Sequence, residues 1–176
     1  MKHILRLLSG ALLAAALVPG AGTGIAAAQT PGTALPQFSV ASPAGEPIAS
    51  DALTAEGQWL LVYLDPVTAP NSRLVGLLKA WQTPQLIARV VLVVDGKPSD
   101  VKRWLAKELG DQPPPLAWFA DVDGSAGRAL KAIGTPMLLG VRAGNVEWTL
   151  TGILSRVESL ESIVRTWVET AGGVRP

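Results

Sequence analysis

Residues 58–73 read QWLLVYLDPVTAPNSR and contain, in order, the patterns of a strand, a turn and the start of a helix. The apolar residues at 59–64 follow one another without alternation, which is typical of a strand that is covered on both faces. Residues 65–72 include two prolines, an aspartate and an asparagine, so they favour a turn. Leucines then recur at helical spacing over residues 73–80 and predict a helix there.

The rest of the chain alternates strand and helix patterns in the same way. The first two predicted strands form a small hairpin, and the last two form a hairpin with Gly144-Asn145 at its turn. Ser99 or Asp100 is expected to cap one helix and Ser155 another. Strands that alternate with helices predict a parallel element, to which the final hairpin adds an antiparallel edge. We predict strands at residues 38–40, 47–49, 89–94, 116–120, 137–141 and 146–150, and helices at 101–109, within 121–133 and at 155–170.

The N-terminus has the three-part pattern of a secretory signal peptide. Lys2 and Arg6 give it a basic start, residues 7–18 are almost entirely apolar, and the alanines at 26–28 form a small-residue cleavage site. Arg6 has no arginine beside it, so the pattern indicates Sec-type export rather than a twin-arginine signal. We therefore predict a cleaved signal peptide at residues 1–28 and a periplasmic or secreted protein without a stable membrane anchor.

The predicted mature chain is long enough for one domain with its own core. Residues 29–37 are rich in Pro, Gly, Thr and Ala and are expected to be a flexible lead-in. The domain itself is predicted at residues 38–170, and residues 171–176 form a short tail.

Composition excludes several classes of function. The sequence contains no cysteine, and its one histidine, His3, lies in the predicted signal peptide. A zinc or copper site is therefore not expected. Asp121, Asp123 and Ser125 resemble the start of a calcium loop, but Ala132 stands where the loop needs a glutamate, so a capped turn is the better interpretation. The nearly neutral mature chain has no basic cluster that would bind nucleic acid. It also lacks a nucleotide-binding motif, so no nucleotide cofactor is expected.

The order and spacing of these motifs resemble the thioredoxin-like superfamily, in particular its exported TlpA/ResA-like branch, over residues 38–168. Thr68-Ala69-Pro70-Asn71 fills the slot that holds Cys-x-x-Cys in that family, and Gly134-Thr135-Pro136 resembles the family's cis-proline loop. The resemblance implies an α/β thioredoxin-like fold, with a central mixed sheet, helices on both faces and an N-terminal β-hairpin extension. It also implies that an extended peptide can pair with the backbone of the residue before the proline.

Without cysteine the chain cannot carry out the family's reaction, which needs an activated thiolate and a second, resolving thiol. Disulfide oxidoreductase activity is therefore excluded, and we expect no catalytic residue and no cofactor. The leading hypothesis is a redox-inactive, protein-binding, assembly or chaperone-like accessory factor with a protein partner in the cell envelope. Its candidate partner-binding surface consists of Thr68, Ala69, Pro70, Asn71, Thr135 and Pro136.

Two other interpretations of this surface stay open. Thr68, Asp65 and Ser72 could support an enzyme with non-thiol chemistry, although a hydroxyl nucleophile needs an adjacent base. The domain could also be purely structural, with Pro136 only starting a strand. Thr68, Asn71 and Ser72 all suit the ordinary role of a helix N-cap.

Overall fold

The structure of this protein is a computed structural model that describes residues 32–53, 57–81, 84–110, 115–152 and 157–169. The predicted signal peptide, the Ser155 cap and the predicted tail at 171–176 lie outside these residues. The signal peptide and the C-terminal boundary of the domain therefore stay predictions.

The described residues form an eight-stranded mixed sheet. The strands are β1 (Thr33–Ala34), β2 (Ser39–Ala41), β3 (Pro47–Ala49), β4 (Gln58–Leu64), β5 (Val90–Asp95), β6 (Ala117–Asp121), β7 (Met137–Arg142) and β8 (Asn145–Thr151). Their order in the sheet is β1-β8-β7-β4-β5-β6-β2-β3. Three strands, β4, β5 and β6, are parallel, and the other neighbouring pairs are antiparallel. The helices are α1 (Ala69–Ala80), α2 (Pro84–Ile87), α3 (Pro98–Leu109), α4 (Ser125–Ala129) and α5 (Val157–Glu169), with a 3-10 turn at Ser50–Leu53.

Helices pack on both faces of the sheet, as predicted. All seven residues of β4 are buried, and alternate ones face opposite sides. Leu60, Val62 and Leu64 lie in a core with residues of α1, α3 and α5, whereas Trp59 and Leu61 lie in a second core with residues of α4, β2 and the 3-10 turn. The α/β architecture with an N-terminal hairpin, β2–β3, is therefore confirmed.

Two helices begin earlier than their apolar patterns indicate, because each has a proline in its first turn. The α1 helix begins at Ala69 rather than Arg73, and α3 begins at Pro98 with Lys97 at the N-cap. Ser99 and Asp100 therefore lie inside α3, so the prediction that one of them caps it was wrong. Proline suits the first turn because its fixed φ is helical and its missing N–H is not needed there.

The expected lead-in at residues 29–37 joins the fold in part. Thr33–Ala34 pairs with β8, Leu35 is buried, and the N–H of Leu35 donates to the carbonyl of Gly144 at 2.8 Å. The sheet thus begins before Phe38, which was the predicted start of the domain. The reason is that β8 would otherwise present an unpaired edge at this point, and two residues are enough to pair with it.

The β7–β8 hairpin is confirmed, but its turn lies one residue earlier than predicted. Arg142 pairs with Asn145, which leaves Ala143 and Gly144 at the turn with φ of 47° and 77°. Positive φ at both central positions is the backbone of a type I′ turn, which matches the twist of the two strands. Asn145 is consequently the first residue of β8.

Candidate functional site

The turn before α1 and the loop before β7 are joined by a small buried cluster of polar side chains. Asn71 is completely buried, and its Nδ2 donates to the main-chain oxygen of Asp65 at 2.7 Å and to Thr135 Oγ1 at 2.9 Å. Nδ2 also contacts Thr68 Oγ1, which lies 3.2 Å from Thr135 Oγ1. We call Thr68, Asn71 and Thr135 the polar cluster. It fills the space between the two segments and fixes their separation.

The polar cluster changes the interpretation of these residues as helix caps. Thr68 stands at the N-cap position of α1, but it makes no side-chain capping bond: its hydroxyl donates to the main-chain oxygen of Asp65 at 3.2 Å, and its oxygen accepts from Asn71 Nδ2 rather than from a main-chain N–H. Asn71 and Ser72 lie within the first turn of the helix. The prediction that these side chains cap α1 was therefore wrong. The side chains of Thr68 and Asn71 contact Thr135 instead.

The loop before β7 contains a cis peptide bond between Thr135 and Pro136. Pro136 is buried, and its carbonyl oxygen accepts a hydrogen bond from Gly152 N–H at 2.7 Å. The main-chain N–H and C=O of Thr135 have no partner among the described residues. Thr135 therefore presents both of its peptide groups beside the start of α1.

A groove of about 510 Å³ runs between these segments. Of the six candidate surface residues, Ala69, Pro70 and Thr135 line it, together with Arg73 and Gly152. The structure thus brings the two halves of the predicted surface together, and it adds two residues that the sequence analysis did not single out.

The other three candidate residues are less accessible. Asn71 and Pro136 are buried, and Thr68 is half-buried beside them. Asn71 and Pro136 support the groove from within and do not form its surface.

The geometry does not favour Thr68 and Asp65 as a nucleophile and its base. The Asp65 carboxylate accepts the N–H of Val67 through Oδ1 at 3.0 Å, whereas the Thr68 hydroxyl is directed to the main-chain oxygen of Asp65. A hydroxyl is activated by a base that can take its proton, and a carbonyl oxygen cannot do so. Among the described residues no group of His, Cys, Asp or Glu has the arrangement of a metal site.

A second buried polar group lies behind the same end of the parallel strands. The Asp121 carboxylate is fully buried and accepts hydrogen bonds from Tyr63 Oη at 3.0 Å, Ala126 N–H at 3.1 Å and Gly127 N–H at 2.9 Å. Burial has the largest effect on the pKa of Tyr63 and raises it above its usual range, and the Asp121 carboxylate raises it further. The phenol therefore remains protonated and acts as a donor. Asp121 therefore joins β4, β6 and the start of α4.

The expectation of a capped turn after β6 is confirmed. Asp123 Oδ1 accepts the N–H of Ser125 at 3.0 Å, and the hydrogen bonds from Ser125 lower the pKa of Asp123. The part played by Asp121 was missed, since nothing in the local sequence reveals that the phenol of Tyr63, 58 residues away, lies against it.

Solved structures with the same architecture are found, although similarity of sequence is low. A Chlorobium tepidum protein assigned as the thiol:disulfide interchange protein DsbE is 18% identical, with a TM-score of 0.62 over 79% of this chain and 98% of its own. A secreted Mycobacterium tuberculosis disulfide oxidoreductase homologous to Escherichia coli DsbE is 16% identical, with a TM-score of 0.55 over 74% and 96%. StoA from Bacillus subtilis is 16% identical, with a TM-score of 0.52 over 73% and 96%.

No protein-family model matches the chain, and the search of curated proteins gives no significant match. At these identities the similarity establishes the fold, which is thioredoxin-like. The Chlorobium and Mycobacterium proteins are described by thiol–disulfide chemistry, whereas this chain has no cysteine. The sequence therefore has the scaffold without the thiols that the reaction requires.

Replacing Asn71 with alanine tests the polar cluster. The substitution removes the donor shared by the Asp65 carbonyl and the Thr135 hydroxyl, so we expect the free energy of unfolding to fall by about 1–3 kcal/mol. The control is Ser72→Ala, one residue along the same helical turn, which should change it by less than about 0.5 kcal/mol. Urea unfolding measures both; equal losses for the two variants would contradict the assigned role of Asn71.

The charge of Asp95 gives a prediction about pH. Asp95 lies opposite Asp121 where β5 and β6 end. Its pKa is raised above the usual 3.8 by desolvation and then by the Asp121 and Asp65 carboxylates. The ionised form is thus disfavoured in the folded state, so Asp95→Asn should raise the thermal midpoint at neutral pH. The gain should shrink as the pH falls through the folded-state pKa and vanish below the unfolded-state value.

Asp123→Asn is the matched control for this pH dependence. The pKa of Asp123 is lowered in the folded state, so its ionised form contributes stability at neutral pH that is lost in acid. This variant should therefore lower the thermal midpoint at neutral pH or leave it unchanged. An Asp95→Asn midpoint that lies below the wild-type value at neutral pH would show that the Asp95 charge is stabilising.

Proposed function

We propose that this protein is a redox-inactive, thioredoxin-like accessory factor of the cell envelope that holds an extended segment of a protein partner. The observation that supports it is the open groove beside Thr135, whose main-chain groups have no partner in the described part of the chain. A buried polar cluster holds this groove open where a redox pair would stand in the thioredoxin-like scaffold. An assembly or chaperone-like role needs binding of this kind and no thiol.

The groove suits an extended peptide because it offers both main-chain and apolar contacts. A peptide that pairs with the N–H and C=O of Thr135 would add a short strand to the loop before β7, as in β-strand addition. Ala69 and Pro70 are exposed on the opposite wall and offer apolar contact to its side chains. Main-chain hydrogen bonds would supply affinity, and the walls of the groove would supply specificity.

The envelope location rests on the N-terminal pattern and on similarity. Residues 1–28 have the order of basic, apolar and small residues that is typical of an export signal. One of the similar structures is that of a secreted protein. None of the helices in the described ranges is long and apolar enough to cross a membrane.

Site-specific photocrosslinking in the envelope of the native host tests the proposal. A benzophenone amino acid would replace Pro70, which is exposed on the groove wall, and the control variant would carry it at Lys102, which is exposed on α3. We expect one protein, identified by mass spectrometry, to be crosslinked through position 70 and not through position 102. The purified partner should then bind the purified protein.

Three outcomes of this experiment have distinct meanings. A partner crosslinked only through position 70 supports the use of the groove. Equal crosslinking through both positions indicates contact without a defined site and contradicts the proposal. No crosslinked partner at position 70, in a variant that folds and is exported, favours a purely structural domain whose groove is unused.

A further inference from the structure

Arg73 gives the groove a positive charge. Arg73 is the one ionisable side chain among the five described residues that line it. Its side chain is exposed, and it makes no ion pair with any residue that the structure describes. The first turn of α1 contains no acidic residue, so no carboxylate in that turn offsets the positive charge. Within the described part of the chain, the groove therefore presents one guanidinium without an ion-pair partner to an incoming peptide.

The geometry of strand pairing fixes which peptide residue would reach Arg73. The Thr135 side chain is directed towards the start of α1, since its Oγ1 accepts the hydrogen bond from Asn71. Residues that lie directly opposite each other in an antiparallel pair project their side chains to the same face. The peptide residue opposite Thr135 would therefore project towards the start of α1, where Pro70 and Arg73 line the groove.

We propose that the partner segment has an aspartate or glutamate opposite Thr135, and that its side-chain carboxylate pairs with the Arg73 guanidinium. This inference rests on the proposed function and specifies the partner for the same site. The carboxylate is assigned to a side chain rather than to a chain terminus, because the main-chain N–H and C=O of the residue opposite Thr135 are both occupied by the exchange of hydrogen bonds with Thr135. Arginine suits this contact because its planar fork can bind a carboxylate through two hydrogen bonds.

Binding of three synthetic peptides tests the inference. The probes are acetylated and amidated nonapeptides, Ac-ATVTXTVTA-NH2, in which the central residue X is Glu, Gln or Lys. Their affinities for the protein without residues 1–28 would be measured by NMR titration at low salt, with the amide signal of Thr135 reporting occupation of the groove. An exposed ion pair predicts that the Glu peptide binds about 1.4- to 5-fold more tightly than the Gln peptide. The Lys peptide should bind most weakly.

Reversal of the charge on Arg73 provides the decisive comparison. Arg73→Glu should reverse the order, so that the Lys peptide binds most tightly, and added salt should reduce the preference of both proteins. The control is Lys102→Glu, which makes the same change of charge on the exposed surface of α3 and should preserve the wild-type order. Circular dichroism would show that both variants fold.

The possible failures separate this inference from the proposed function. If all three peptides shift the Thr135 signal with equal affinity, the groove binds extended peptides but the acidic preference is wrong. If Lys102→Glu reverses the order as Arg73→Glu does, the preference arises from net charge and the assignment to Arg73 is wrong. If no peptide shifts the Thr135 signal at any concentration reached, both the strand pairing and the acidic preference are contradicted.

Discussion

The buried amide of Asn71 is the contact on which the rest of the candidate site depends. Its Nδ2 reaches both the turn after β4 and Thr135, which is 64 residues further along the chain. A buried amide donor is costly to leave unpaired, so these bonds hold the two segments at one separation. The groove exists because α1 begins at Ala69 on one side of this contact and the Thr135–Pro136 loop lies on the other.

A second buried group supports the same end of the sheet. Asp121 is the last residue of β6. Its carboxylate accepts hydrogen bonds from the phenol of Tyr63 in β4 and from two N–H groups in the first turn of α4. Gly127 is required at this point, since a Cβ there would lie 2.9 Å from Cζ of Tyr63. The turn after β4 is thus held by Asn71, whose Nδ2 donates to the carbonyl of Asp65, and β4 itself is held by the bond from Tyr63 to Asp121. The Nδ2 of Asn71 and the carboxylate of Asp121 thus have hydrogen-bond partners, whereas the buried Oδ1 of Asn71 has none among the described residues.

The sequence alone was enough to predict the architecture, because its signals are local. Continuous apolar runs indicated β4 and β5, and the spacing of apolar residues indicated the long helices. Helix starts were less accurate, since Pro70 and Pro98 extend α1 and α3 beyond their apolar stripes. The short pairing of β1 with β8 has no periodicity at all, because two residues are too few to show one.

The position of the candidate site could be predicted from the sequence, but the contacts that form it could not. Thr68 and Asn71 were identified because they fill the slot that holds Cys-x-x-Cys in the thioredoxin-like superfamily, although both residue types also commonly cap helices. Only tertiary contact reveals that Asn71 is buried and bonded to Thr135. Arg73 likewise belongs to an ordinary helical pattern in the sequence, and its position on the groove wall depends on a loop from the other half of the chain.

We infer that the polar cluster occupies the place of a redox pair in an otherwise intact thioredoxin-like scaffold. The most direct measurement is made on the double variant Thr68→Cys/Asn71→Cys, by counting free thiols after mild oxidation and by titrating the reduced protein. We expect an intramolecular disulfide and, at position 68 beside the start of α1, a thiol whose pKa lies below the usual value of about 8.5. A folded variant that keeps two free thiols of ordinary pKa under oxidising conditions would contradict it.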